Sequence, residues 1–205
     1  ATTEIYTLSL HDALPIFIRK NRQDEAKVDD CLDKINLSAS HLLALVNDVL
    51  DMNKLESGKE TIESVSFDLT HLMDDVSSLV NAQITEMGIT HRTHRGELTH
   101  TRLIGSPLRL RQIMLNLFSN AIKYNKPGGT IDTYAGEVSC DGTRVVYEFR
   151  ITDSGIGMSS EFIEKELFHP FTQEKSGART QYKGTGLGMS IVKELIEKMQ
   201  GTIEV

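Results

Sequence analysis

Asn116-Leu117-Phe118-Ser119-Asn120-Ala121-Ile122-Lys123-Tyr124 sets two amides, a lysine and a tyrosine among apolar residues at helical intervals. Ser106-Pro107 ahead of it reads as a helix start, a hydroxyl cap followed by proline in the first turn. Leu110, Ile113, Met114, Leu117 and Ala121 then recur at helical spacing. Asn116, Asn120, Lys123 and Tyr124 therefore share one polar stripe. An uncharged amide oxygen can complete the coordination of Mg²⁺ while phosphate oxygens and water supply the rest, and a lysine one turn on can meet a phosphate chain. Taken alone, the stretch also fits an amphipathic helix with a solvated polar face.

Downstream, Thr143 to Thr152 is rich in Val, Tyr, Phe and Ile and reads as a strand. It runs into Asp153-Ser154-Gly155-Ile156-Gly157. A carboxylate at a strand end can accept a hydrogen bond from an exocyclic amine, and two glycines let the backbone approach a flat base. Adenine fits such a slot, although an ordinary glycine turn reads the same way. A third stretch, Gly184-Thr185-Gly186-Leu187-Gly188, follows the polar segment 173–183 and leads into a helix carried by Ile191, Val192, Leu195, Ile196 and Met199. Glycines ahead of a helix expose amide hydrogens to phosphate, and the positive end of the helix dipole adds attraction. A Rossmann loop would follow directly on a hydrophobic strand, whereas a charged segment precedes Gly184. A P-loop needs Gly-Lys-Ser/Thr, which does not occur.

In order and spacing, the asparagine helix, Asp153-Ser-Gly-Ile-Gly, Phe168-His-Pro-Phe171 and Gly184-Thr-Gly-Leu-Gly resemble the catalytic ATP-binding domain of bacterial sensor histidine kinases. The resemblance runs from about Ile18 to the end of the chain. It implies that Asn120 ligates Mg²⁺ with help from Asn116, and that Lys123 and Tyr124 lie near the phosphates of ATP. It further implies that Asp153 reads adenine, that Gly155 and Gly157 shape its pocket, that Gly184, Gly186 and Gly188 hinge a mobile lid, and that Thr185 and Leu187 of the same stretch belong with them to the nucleotide site. Phe168 and Phe171 would anchor that lid; as bare sequence they read as core aromatics. Lys175, Arg179 and Lys183 are candidates to reach the phosphates, against the simpler reading of a solvated basic loop. Related ATPases such as gyrase carry a glutamate four residues before the metal-binding asparagine, where it activates water. Here that position is Asn116, and an amide cannot take a proton from water, so the resemblance favours phosphoryl transfer over hydrolysis.

Upstream, Val28, Leu32, Ile35, Ala39, Leu42, Val46 and Val49 form a heptad seam, widened by Leu43 and Leu50. In the resembling family this is the second helix of a hairpin that dimerises into a four-helix bundle. The family's phosphate-accepting histidine lies on the first helix, followed by an acid and a proline. His11-Asp12-Ala-Leu-Pro15 imitates that pattern, but Pro15 comes one residue early. A hairpin turning near Gln23 would also pair His11 with residues near Ile35, about one and a half heptads short of the family's position. His11 is therefore expected to be no acceptor. The segment 1–16 reads as a non-native stretch outside the fold.

The expected organisation is α+β. A truncated helical hairpin over 17–56 is followed by a two-layer α/β sandwich of the histidine-kinase ATPase type over 60–205 that lacks its last strand. Expected elements are a strand over 61–67, a helix over 69–86 started by Asp68, and a short strand over 101–104. A hairpin over 130–152 turns at Asp141-Gly142, and a strand begins at Gly201. Beside the kinase reading stand two others: a nucleotide-binding dimerisation module without kinase activity, and an ATPase or serine/threonine kinase of the same fold.

Composition bounds the partners. A net charge of −7 over 205 residues argues against nonspecific nucleic-acid binding, and no apolar run reaches the length of a membrane span. The resemblance implies a cytoplasmic region of a parent that is often membrane-anchored, with a response-regulator receiver domain as partner. Cys31 and Cys140 form no metal or redox spacing. His91, His94 and His100 lie close in sequence, but residues three apart on a strand face opposite sides. No nearby acid or cysteine completes a ligand set, and the expected reading is a solvated strand.

Overall fold

The structure, a computed structural model, describes residues 24–56, 62–174 and 184–205. His11 and Pro15, together with Lys175, Arg179 and Lys183, lie outside these ranges. The chain divides into two units, residues 1–50 and 51–205.

Helix α1 (Glu25–Glu56) begins in the first unit, its last residues from Asp51 onward counting with the second, and it starts where the Asp24 side chain accepts the Lys27 amide at 3.3 Å. An exposed Lys34–Asp30 pair one turn apart supports it. Leu32, Leu42, Leu43, Val46, Val49 and Leu50 of the heptad seam stand open to solvent.

In the second unit, β1 (Val65–Asp68) and β3 (Arg102–Gly105) form an antiparallel pair, with Val65 opposite Gly105 and Asp68 opposite Arg102. β2 (Thr90–Arg95), β4 (Thr130–Cys140) and β5 (Val145–Asp153) form a second sheet in the order β2-β4-β5. β2 runs parallel and β5 antiparallel to β4. The described strands thus form two sheets, the larger of them mixed.

Helices α2 (Leu69–Glu86) and α3 (Pro107–Lys123) pack over the larger sheet. Asp68 caps α2 by accepting the Thr70 and His71 amides at 2.9 and 3.2 Å, and Ser106 caps α3 by accepting that of Arg109 at 3.3 Å. Leu69, Val76, Val80 and Ile84 of α2 meet Met114, Phe118 and Ile122 of α3 over Ile131 and Ala135 of β4. The opposite flank of α3 supplies Ile113 to a second core with Leu55 from the last turn of α1. The other members are Leu187, Ile191, Val192 and Leu195 around α5 (Gly188–Lys198). A short helix α4 (Ser160–Lys165) lies between β5 and α5 in the chain.

Several expectations shift for identifiable reasons. β5 starts at Val145 rather than Thr143 because the Asp141 carboxylate takes the Thr143 and Arg144 amides at 2.8 and 2.7 Å, holding the turn outside the ladder. Those bonds, that from Arg144 first, depress its pKa to about 2. The first strand begins only at Val65, where pairing with Gly105 begins. Residues 201–205 form no strand, where the sequence predicts one beginning at Gly201. His94 and His100 are exposed, but His91 is half-buried: it meets Phe118 edge-on at 5.6 Å with Nε2 3.1 Å from Thr133 Oγ1. Burial pushes its imidazole below the usual range, against the pull of Asp132.

Candidate functional site

The C-terminal end of α3, the turn after β5 and the loop into α5 converge in the second unit. Asn116, Asn120, Lys123 and Tyr124 lie on successive turns at the end of α3, and the Tyr124 amide closes it on the Asn120 carbonyl at 3.0 Å. The Ile156 amide then donates to the Tyr124 carbonyl at 3.1 Å, docking the Asp153–Gly157 turn on the helix end. A Cβ on Gly155 would sit 2.4 Å from the Tyr124 oxygen and 2.7 Å from Asp153 Oδ1, so glycine is required by space. Gly157 is required by conformation, with φ at +68° and no described atom within 4 Å of a Cβ there. Asp153 ends β5, paired across the sheet with Ile131, and its Oδ1 accepts the Gly155 amide at 2.8 Å.

The glycine stretch arrives at the same helix from the other side. A Cβ on Gly184 would meet Lys123 Nζ at 2.4 Å, so the ammonium lies directly against that backbone. The same Nζ is 3.1 Å from the Tyr124 hydroxyl and 4.7 Å from the centre of its ring. Asn116 Oδ1 points at Gly188, the first residue of α5, 3.6 Å from where a Cβ would stand. α5 has no side-chain cap, which leaves its first amides available to an anion. Thr185 Oγ1 accepts the Leu187 amide at 3.1 Å. Leu187 is fully buried in the second core, where its side chain anchors the loop.

Phe171 corrects the core-aromatic reading. It is 67% exposed and holds a left-handed backbone at φ 64°, a conformation unusual for an aromatic residue. Its amide donates to the Gly186 carbonyl at 3.0 Å, and a Cβ on Gly186 would lie 2.8 Å from the Phe171 carbonyl carbon. Phe168 is half-buried beneath Lys193, whose Nζ lies 5.4 Å from the ring centre.

Two groups escaped the sequence reading. Asn125, buried one residue past the asparagine stripe, donates to the Thr130 carbonyl at 3.0 Å and receives the Ser154 hydroxyl at 3.2 Å. The Ser154 oxygen in turn accepts the Thr130 amide at 2.8 Å. This clip joins α3, β4 and β5 beneath the site. The Gln173 amide nitrogen donates to the Gly184 carbonyl, tying the Phe171 segment to the glycine stretch. Asn125 lies outside the helical period that singled out its neighbours, and Gln173 sits in a polar run that carries no pattern.

The arrangement offers two amide oxygens, a lysine ammonium, exposed helix amides and a strand-end carboxylate around glycine backbones. That is a donor set for a purine nucleoside polyphosphate with its counterion.

Residues 105–205 match the family described as Histidine kinase-, DNA gyrase B-, and HSP90-like ATPase. The signal transduction histidine-protein kinase BarA of Escherichia coli K12 is 38% identical over 174 residues, 85% of this chain and 19% of BarA. The sensor protein GacS of Pseudomonas syringae pv. syringae is 38% identical over 180 residues, 86% of this chain and 19% of GacS. The chain thus spans about a fifth of the length of these relatives. Among solved structures, full-length ShkA in complex with AMPPNP aligns with a TM-score of 0.66 at 28% identity, over 87% of this chain and 34% of ShkA.

Proposed function

We propose, from the match of residues 105–205 to the family described as Histidine kinase-, DNA gyrase B-, and HSP90-like ATPase, that this chain binds Mg-ATP and presents its γ-phosphate to a histidine imidazole. The observation that carries the reading is the meeting of Lys123, the Asp153–Gly157 turn and the Gly184–Gly188 stretch at one helix end.

The amide oxygens of Asn120 and Asn116 would hold the magnesium ion, which would neutralise charge on the phosphates. Lys123 adds an ammonium beside the glycine backbone, and the first amides of α5 receive the remaining phosphate oxygens. Arg179 and Lys183 are assigned to the same phosphates. Asp153 takes the adenine amine, and Gly155 and Gly157 let the base lie against the backbone. Positioning and charge compensation do most of the work, since phosphoryl transfer asks little covalent chemistry of the protein. The bond from the γ-phosphorus to the bridging oxygen breaks, the imidazole nitrogen bonds to phosphorus, and ADP leaves. Asn116 stands where a water-activating carboxylate would be needed for hydrolysis, and an amide cannot serve as that base. An aspartate on a response-regulator receiver domain then accepts the phosphoryl group. The acceptor histidine is not His11.

We assign residues 17–56 to a helical hairpin that forms a homodimer and residues 60–205 to the catalytic domain, in the cytoplasmic part of its parent. No helix among the described residues is long and apolar enough to cross a membrane. The open seam on α1, with Leu42 56% and Leu43 65% exposed, is an apolar stripe that gains by burial against a second copy. Leu42→Asp is expected to shift the dimer constant toward monomer by at least about tenfold, since a carboxylate in the seam would be buried unpaired. Sedimentation equilibrium checks it, and an unchanged dimer would remove this seam from the interface.

The kinase reading is tested by incubating the chain and its His11→Ala variant with γ-labelled Mg-ATP. Expected is tight nucleotide binding by both, with negligible phosphate release and no difference in label between them. Acid-stable label on serine or threonine, or sustained phosphate release, would replace the histidine-kinase reading by one of the two other chemistries.

A further inference from the structure

We propose that Cys140 and His100, oriented by Glu137, form a binding site for a thiophilic divalent ion of the zinc class, at the end of the larger sheet away from the nucleotide motifs. The site joins residues 37 and 40 apart in sequence, so no ligand spacing announces it. β4 carries it: its first residue, Thr130, belongs to the clip beneath the nucleotide motifs, and its last is Cys140, about 30 Å along the strand.

The three side chains present donor atoms that all lie within 4.8 Å of one another. Glu137 Oε2 accepts the amides of Thr99 and His100, each at 3.1 Å, which fixes the carboxylate. Its other oxygen lies 2.9 Å from His100 Nδ1. A carboxylate accepts only, so Nδ1 carries a proton and Nε2 is the ring nitrogen left to meet a metal, the orientation used by carboxylate–histidine–metal triads. Nε2 faces Cys140 Sγ at 4.0 Å. Metal–sulfur and metal–nitrogen bonds to zinc at a tetrahedral angle set these two atoms roughly 3.6 Å apart, a small closure for exposed side chains. The backbone around them is already tied down. The Tyr147 hydroxyl donates to the His100 carbonyl, the Gly96 amide to Ala135 at 2.9 Å and the Glu137 amide to Glu97 at 2.9 Å.

Glu137 is a positioning residue, and the open side of the pair admits water or a further ligand. A thiolate–imidazole pair selects zinc-class ions over the magnesium of the nucleotide site. Binding releases the Cys140 thiol proton to solvent, and the ion would staple the 96–100 loop to the β4–β5 hairpin.

The test is titration of the reduced, nucleotide-free chain with Co²⁺, read by the thiolate-to-cobalt charge-transfer band that an all-oxygen site cannot give. One equivalent is expected to produce the band, and Zn²⁺ to abolish it by displacement. Cys140→Ser should remove the band and Cys31→Ser leave it. His100→Ala should weaken binding at least tenfold, and Glu137→Gln by about 10–100-fold with the band retained. Independently of any variant, Zn²⁺ should slow alkylation of Cys140 in the unsubstituted chain, read by peptide mass spectrometry. Absence of the band, its survival in Cys140→Ser, undiminished affinity in His100→Ala, or alkylation unaffected by Zn²⁺ would each overturn the assignment.

Discussion

Gly155→Ala is expected to lower ATP affinity by at least about 100-fold, on the order of 2.7 kcal/mol, and to destabilise the second unit by about 1–3 kcal/mol. The added Cβ would stand 2.4 Å from the Tyr124 carbonyl oxygen and 3.0 Å from its carbon. Both are backbone atoms at the end of α3, held by the Tyr124 amide on Asn120 and the Ile156 amide on Tyr124. No side-chain rotation relieves that conflict, so either the helix end or the Asp153–Gly157 turn must move, and Asp153 moves with it. Gly157→Ala is the informative control. Its position is strained by φ +68° but spatially open among the described residues, so it should cost only about 1–2 kcal/mol of stability. Calorimetric titration with ATP and urea melts of both variants separate the two causes. Affinity within threefold of the unsubstituted chain in Gly155→Ala would show that this turn does not hold the base.

Asn120→Ala is expected to remove magnesium-dependent ATP binding, again by about 100-fold or more, while leaving the fold intact. Alanine is the stronger helix former, and Asn120 lies on the polar stripe of α3, away from the buried set of Ile113, Met114, Phe118, Ala121 and Ile122. The loss therefore cannot come from an unravelled helix, and circular dichroism should be unchanged. Titration with and without magnesium assigns the effect: the variant should bind nucleotide equally under both conditions, at the weak metal-free level. Retained magnesium dependence would move the metal to other ligands and leave Asn120 as a solvated polar residue.

Local chemistry was legible before any coordinates. Asp68 and Ser106-Pro107 set helix starts that need only the next few amides, and the periods of α2, α3 and α5 follow from which residues face a core. Phe171 could not be read this way, because its exposure and left-handed backbone come from docking on Gly186, a partner supplied by a later loop. His91 likewise depends on Phe118, a residue of α3 that the packing brings over β2.

Caps, helical periods and glycine motifs follow from the chain alone, because each is settled within a few residues by hydrogen bonds and sterics that the chain carries wherever it goes. The tertiary structure alone decided that Lys123 lies against Gly184, that Asn125 clips Thr130 to Ser154, and that His100 meets Glu137 and Cys140. Those are contacts between segments tens of residues apart, and their geometry exists only once the helices have buried their apolar faces on the sheet and fixed the strand register.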